Sequence, residues 1–259
     1  MNIGIFDSGI GGMTLLHQAM ITLPQENFIF YADIDHVPYG TKTKEQVVGF
    51  VDEVMQFMIA HDCKAVVIAC NTATSVAAEI MRDKYKIPII GIEPAVKPAV
   101  EQSAGKRVMV VATPLTIQEE KLKNLVERVD DAHLVDLLAL PSLVSFAEQG
   151  EFDTPQVEEY LREMLDPFSL EEYGELVLGC THFNYFKDSF RKLLPSHVQM
   201  IDGSAGTVNQ LKRVLEYKGQ LEQNEGSVRY FASGRELTGE KELQRIEMLH
   251  KRLERMREI

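Results

Sequence analysis

Residues 65–72 read Ala65-Val66-Val67-Ile68-Ala69-Cys70-Asn71-Thr72. An apolar run without polar alternation describes a strand buried on both faces, the habit of parallel sheets covered by helices. The run ends on a thiol, and Asn71 and Thr72 follow as residues that cap helices or donate to a carboxylate. A strand that runs into a helix start presents its last side chains where open α/β sheets bind ligands. The pattern returns as Leu176-Val177-Leu178-Gly179-Cys180-Thr181-His182, with the second thiol 110 residues after the first.

Working outward, short apolar runs alternate with helical segments. One series of strands is expected at Ile3–Phe6, Phe28–Ala32, Ala65–Ala69 and Pro88–Ile92. A second is expected at Arg107–Ala112, His133–Ala139, Glu175–Gly179 and Val198–Ile201, and a last strand at Val228–Ala232. Between them apolar residues recur at helical spacing, as in Val47, Phe50, Val51, Val54, Phe57 and Met58. Asp7 and Thr113 end the first strand of each series, and Cys70 and Cys180 the third. The fold class is therefore α/β: two similar domains facing each other, each a mostly parallel sheet flanked by helices. Gly91, Pro94 and Pro98 mark the linker. Leu243, Ile246, Leu249, Leu253 and Met256 predict a docked C-terminal amphipathic helix. The acid-rich stretch Glu151–Glu175 reads as a solvated helical face.

Composition narrows the function. The chain has 259 residues, 27 Lys and Arg against 39 Asp and Glu, and a net charge of −12. Such a balance disfavours nucleic acid and anionic membrane as partners. No apolar run is long enough to span a bilayer and no signal peptide is visible, so a cytoplasmic protein is expected. Three cysteines make no disulfide framework and suit a reducing compartment. Cys63 precedes its strand and reads as a residue that packs or lies near the surface.

Four strand ends carry chemistry. Asp7-Ser8-Gly9-Ile10-Gly11-Gly12 is a glycine turn that lets backbone approach an anion. As a dinucleotide fingerprint, with Asp33 as ribose acid, it is incomplete, because the third glycine falls at Thr14. Tyr31 to Gly40 ends in Pro38-Tyr39-Gly40, a turn able to lie over a small ligand. Cys70-Asn71-Thr72 and Cys180-Thr181-His182 are the other two. Redox exchange favours a Cys-x-x-Cys pair, which is absent. Cys70, Cys180 and His182 are three conceivable zinc ligands, but without familiar spacing. A single Cys–His nucleophile leaves one thiol unused. A two-base proton shuttle uses both: one thiolate takes a proton from carbon and the other thiol returns one to the opposite face. Asp7 and His182 are the natural partners of Cys70 and Cys180. A two-lobed binding protein and a pyridoxal enzyme are rivals, the latter lacking a strand-end lysine.

These four motifs, in this order from Asn2 to Gly206, resemble the glutamate racemases of the aspartate/glutamate racemase family. Aspartate racemases typically carry an acid where His182 stands. The resemblance implies cofactor-independent interconversion of L- and D-glutamate for peptidoglycan synthesis, with no metal. It implies Cys70 and Cys180 as acid/base thiols, assisted by Asp7 and His182. It implies a substrate site of Ser8, Tyr39, Gly40, Asn71, Thr72 and Thr181, with Asp7 and His182 at its edge. Glu148, Thr113 and Thr116 match further family positions. A homodimer is implied, as is a C-terminal segment, Thr207–Ile259, that packs back on the first domain. The resemblance thus implies a division into 1–95 plus 207–259 and 96–206, with the active site in the cleft between the two domains. Ala139-Leu140-Pro141 lacks the cysteine that often precedes the matching proline. No extension precedes the first strand, so activation by a cell-wall precursor is not expected.

Overall fold

A computed structural model describes residues 1–223 and 225–259. Its strands are β1 (Asn2–Asp7), β2 (Asn27–Ala32), β3 (Cys63–Ile68), β4 (Ile89–Gly91), β5 (Arg107–Ala112), β6 (Val135–Ala139), β7 (Tyr173–Leu178), β8 (Gln199–Asp202), β9 (Ser227–Ala232) and β10 (Arg235–Glu236). Its helices are α1 (Met13–Thr22), α2 (Lys44–Ala60), α3 (Asn71–Lys84), α4 (Val96–Gln102), α5 (Pro114–Gln118), α6 (Glu120–Val129), α7 (Ser142–Gln149), α8 (Pro155–Leu165), α9 (Lys187–Leu193), α10 (Ser204–Tyr217) and α11 (Glu240–Arg257).

The strands form two sheets, ordered β10-β9-β2-β1-β3-β4 and β6-β5-β7-β8. All pairings are parallel except β9 with β10. The order 2-1-3-4 of the first sheet is thus repeated as 6-5-7-8. The copies share an irregularity as well. Beside β1, the register skips Lys64 between Cys63 and Ala65; beside β5, it skips Gly174 between Tyr173 and Glu175. After α10 the chain returns to the first sheet and adds β9 against β2.

Three apolar clusters define the layers. One is continuous between the two halves and joins Ile3, Leu15, Phe30 and Val67 to Val111, Leu178, Tyr185 and Leu249. A second covers the outer face of the first sheet with α2 and α3, through Val47, Val51, Met58, Ala77 and Met81. A third packs α4 and α6 on the second sheet through Val96, Ala99 and Leu122. Helix starts are fixed locally. Thr43 and Gln46 close a capping box on α2, and Thr113 caps α5 with Pro114 at its first turn. Helix α7 stops at Gly150, whose φ of 78° is the left-handed conformation that glycine adopts without strain.

Several local expectations change. Cys63 is the buried first residue of β3, with its thiol on Met58 Sδ at 3.8 Å, rather than a residue ahead of the strand. Glu175, which ends the acid-rich stretch and opens the expected strand Glu175–Gly179, belongs to the strand: it lies buried in β7, where burial raises its carboxyl above the ordinary value. In α11 the buried residues are Leu249, Arg252, Leu253 and Met256, while Leu243 is exposed. No helix among the described residues is long and apolar enough to cross a membrane.

Candidate active site

The carboxyl ends of β1, β3, β5 and β7 meet between the two halves. Cys70 follows β3 by two residues and caps α3, its sulfur accepting the Ala73 N–H at 3.4 Å. Cys180 follows β7 by two residues and leads into a 3-10 turn, Thr181–Phe186. Both thiols are free and buried. They are close enough for charge on Cys180 to raise the proton affinity of Cys70.

Each sulfur has its own partners. The Cys70 thiol donates to Ser8 Oγ at 3.7 Å, and Ser8 donates to Asp7 Oδ1 at 3.3 Å. Asp7 therefore reaches Cys70 through Ser8. Asp7 also accepts the Gly9 N–H at 3.0 Å and the Thr181 hydroxyl at 2.8 Å, the latter across the seam between the halves. On the other side, Cys180 Sγ lies 3.8 Å from His182 Nδ1. His182 Nε2 meets Glu148 Oε1 at 2.7 Å, and the same oxygen accepts the Ile10 N–H at 2.7 Å.

Burial and charge set these groups apart. Burial, with the Asp7 charge, pushes the Cys70 thiol up to about 12. Burial also lifts Asp7 above the carboxylate range, against the pull of His182, the Gly9 N–H and the Thr181 hydroxyl. Burial opposes charge on His182, but its bonds to Cys180 and Glu148 win and hold its pKa well above the usual value. Burial likewise opposes the Glu148 carboxylate, and the bonds from His182 and the Ile10 N–H outweigh it and lower its pKa. The imidazole is thus held toward its protonated form between Cys180 and Glu148, while Cys70 is held as a thiol.

The remaining expected residues line the same region. Thr72, Thr113 and Thr116 place three hydroxyls within 2.9–3.0 Å of one another, joining the start of α3 to the end of β5. Asn71 is buried with neither amide atom hydrogen-bonded. Gly40 lies against Thr113; a Cβ there would sit 2.8 Å from the threonine Cβ. The Tyr39 hydroxyl is committed to Asp33 at 2.6 Å, and burial beside Asp33 raises its pKa. Asp33 is therefore the holder of Tyr39 and of His36, at 2.9 Å, rather than a ribose acid. Sequence reasoning missed that role, and nothing in the local pattern marks it. Among the described residues no three His, Cys, Asp or Glu side chains are arranged to hold a metal ion.

Comparison with known proteins gives the chain a family. Residues 13–211 match the family model described as Asp/Glu/Hydantoin racemase. The glutamate racemase of Lachnospira eligens is 55% identical, over 100% of both chains. Glutamate racemase 2 of Bacillus subtilis is 50% identical over 96% of this chain and 95% of its own. Among solved structures, a glutamate racemase from Francisella tularensis in complex with D-glutamate superposes with a TM-score of 0.81 at 30% identity, covering 96% of this chain and 93% of that one. With the fold, the full-length relatives and the family model in agreement, the chain belongs to the Asp/Glu/Hydantoin racemase family.

Proposed function

We propose that the protein interconverts L- and D-glutamate by proton transfer between two cysteines. The observation that carries the reading is the placement of Cys70 and Cys180 at equivalent ends of β3 and β7, each with its own acid–base partner. One sulfur, as thiolate, takes the α-proton, and the electron pair of the C–H bond moves onto the α-carbon and its carboxylate. The other, as thiol, protonates the opposite face. The enantiomer leaves, and the two sulfurs have exchanged protonation states.

In one direction Cys180, with His182 beside it, acts as the base and Cys70 as the acid. The reverse direction exchanges the roles, with Asp7 acting on Cys70 through Ser8. The α-proton of an amino acid is weakly acidic, so the developing carbanion needs fixed donors in a site closed to water. Ser8, Asn71, Thr72, Thr181 and the turn at Tyr39 and Gly40 would hold the carboxylates and the ammonium. Binding of D-glutamate by the Francisella relative supports this substrate. The parts 1–95 plus 207–259 and 96–206 would act as two domains that open to admit it. No cofactor enters the scheme. A cytoplasmic homodimer that supplies D-glutamate for peptidoglycan is the setting we assign.

Circular dichroism of L-glutamate tests the activity: the signal should decay to zero without added cofactor, whereas aspartate should be a poor substrate. In deuterium oxide, label should enter the α-carbon of both enantiomers. Cys70→Ala and Cys180→Ala should each lose about 100- to 10,000-fold in racemisation, the usual worth of a general acid or base. Full turnover in either variant would overturn the two-base scheme.

A further inference from the structure

Helix α11 is built into the first half of the molecule but holds on to the second. Leu249, Leu253 and Met256 are buried, and His250 Nδ1 meets His17 Nδ1 of α1 at 3.3 Å. From this base two arginines reach across. Arg245 donates to the main-chain oxygen of Glu148 at 2.8 Å. Arg252 donates twice to the main-chain oxygen of Tyr185, at 2.9 and 2.7 Å, pairs with Asp188 at 2.9 Å and covers the Phe152 ring at 4.7 Å. Seven residues apart, the two lie on one helix face.

Both carbonyls belong to residues whose side chains close on one point. Glu148 Oε1 accepts the Ile10 N–H at 2.7 Å, and the Tyr185 hydroxyl donates to the Ile10 carbonyl at 3.1 Å. Ile10 sits in the glycine turn beside Asp7, where the fit is close. A Cβ on Gly9 would lie 2.8 Å from the Glu148 carboxyl carbon, and one on Gly11 would lie 2.8 Å from His182 Cε1. A small displacement of Glu148 is therefore felt at once by His182 and by the turn.

We infer that Arg245 is a positioning residue: by fixing the main chain of Glu148 it holds that carboxylate on His182, with Arg252 anchoring the strap through Tyr185. This rests on the proposed two-cysteine reaction. The charged and titratable groups facing Glu148 are His182 from the turn after β7, Asp7 from β1, Arg245 from α11 and Tyr185. Without Arg245 the carboxylate loses a nearby positive charge and its alignment on the imidazole. The Glu148 pKa then rises and that of His182 falls.

The test is racemisation of glutamate by the full chain across pH, for wild type, Arg245→Met, Arg245→Lys and Glu148→Gln. Arg245 is exposed, so its variants are expected to fold. Arg245→Met should lower kcat about 10- to 100-fold with little change in KM, the effect of misplacing a catalytic group by about an ångström. Its bell-shaped profile should narrow from both sides, and Arg245→Lys should restore the width. Glu148→Gln should be at least as impaired as Arg245→Met. A fall in Tm with an unshifted profile would make Arg245 merely structural and overturn the inference while leaving the proposed function standing. An inactive wild type would overturn both.

Discussion

Asn71 opens α3 with both amide atoms buried and neither hydrogen-bonded. The capping role its position suggests is taken by the Cys70 sulfur, so the amide is free for a ligand. An unpartnered buried donor or acceptor carries a penalty of about 1–3 kcal/mol. Asn71→Ala should therefore raise Tm by about 2–12 °C, given about 2–4 °C per kcal/mol for a chain of this size. It should also raise KM for glutamate at least about tenfold, the loss of one charge-assisted hydrogen bond. Thermal melts and initial rates on one preparation decide it, and a lower Tm with an unchanged KM would contradict the assignment. The thiols, Asp7 and His182 were legible because each stands at or just beyond a strand end, where the open-sheet rule puts chemistry. Asp33 and the bond of Glu148 to His182 were not. The Glu148 contact spans 34 residues and joins α7 to a turn, a pairing that only packing creates.

At the level of elements, strand cores were legible and their ends less so, because apolar runs locate the buried middle while register fixes the termini. β10 has two residues and escaped notice. In α11 the helical spacing was right, but the burial pattern was set by the second half: Arg252 is buried because Tyr185 and Asp188 receive its guanidinium, and Leu243 extends past the packed surface. The helix also carries a polar chain. Tyr230 meets His250 Nε2 at 3.1 Å, His250 and His17 meet through their Nδ1 atoms, and His17 Nε2 meets Glu254 at 2.6 Å. Burial and the neighbouring His17 lower His250 to about 4. The unfolded chain then binds a proton at His250 that the folded chain refuses, between an ordinary value of about 6.5 and a folded value near 4. Stability from this residue is present above that window and falls with pH inside it. Wild type should lose Tm as pH drops across the interval, and His250→Gln should lose less over the same interval. Equal slopes in the two proteins would remove His250 as the cause.

For the molecule as a whole, the repeated sheet was legible in the spacing of two cysteines, but the return of the chain to the first sheet was implied only by the family resemblance, because the short run Val228–Ala232 marks a strand without saying which sheet it joins. What fixes that return is charge inside the protein. Lys64 of β3 is fully buried and contacts Glu26 Oε2 at 2.7 Å, Glu222 Oε1 at 3.3 Å and the Gln220 carbonyl at 2.6 Å. The Glu222 N–H donates back to Glu26 at 2.9 Å. The segment entering β9 is thereby tied to the entry ends of β2 and β3, the opposite sheet end from Cys70. Removing one partner leaves a buried carboxylate uncompensated, a loss of about 3–5 kcal/mol. Lys64→Met should accordingly lower Tm by about 6–20 °C. Because the network lies at the far strand ends, kcat and KM should match wild type at temperatures where the variant is folded. Lys64→Met with Glu26→Gln should recover part of the Tm, since the stranded charge is gone. A single variant as stable as wild type would show that the return to β9 is held by strand pairing alone, and a change in KM would show that the two ends of the sheet are coupled.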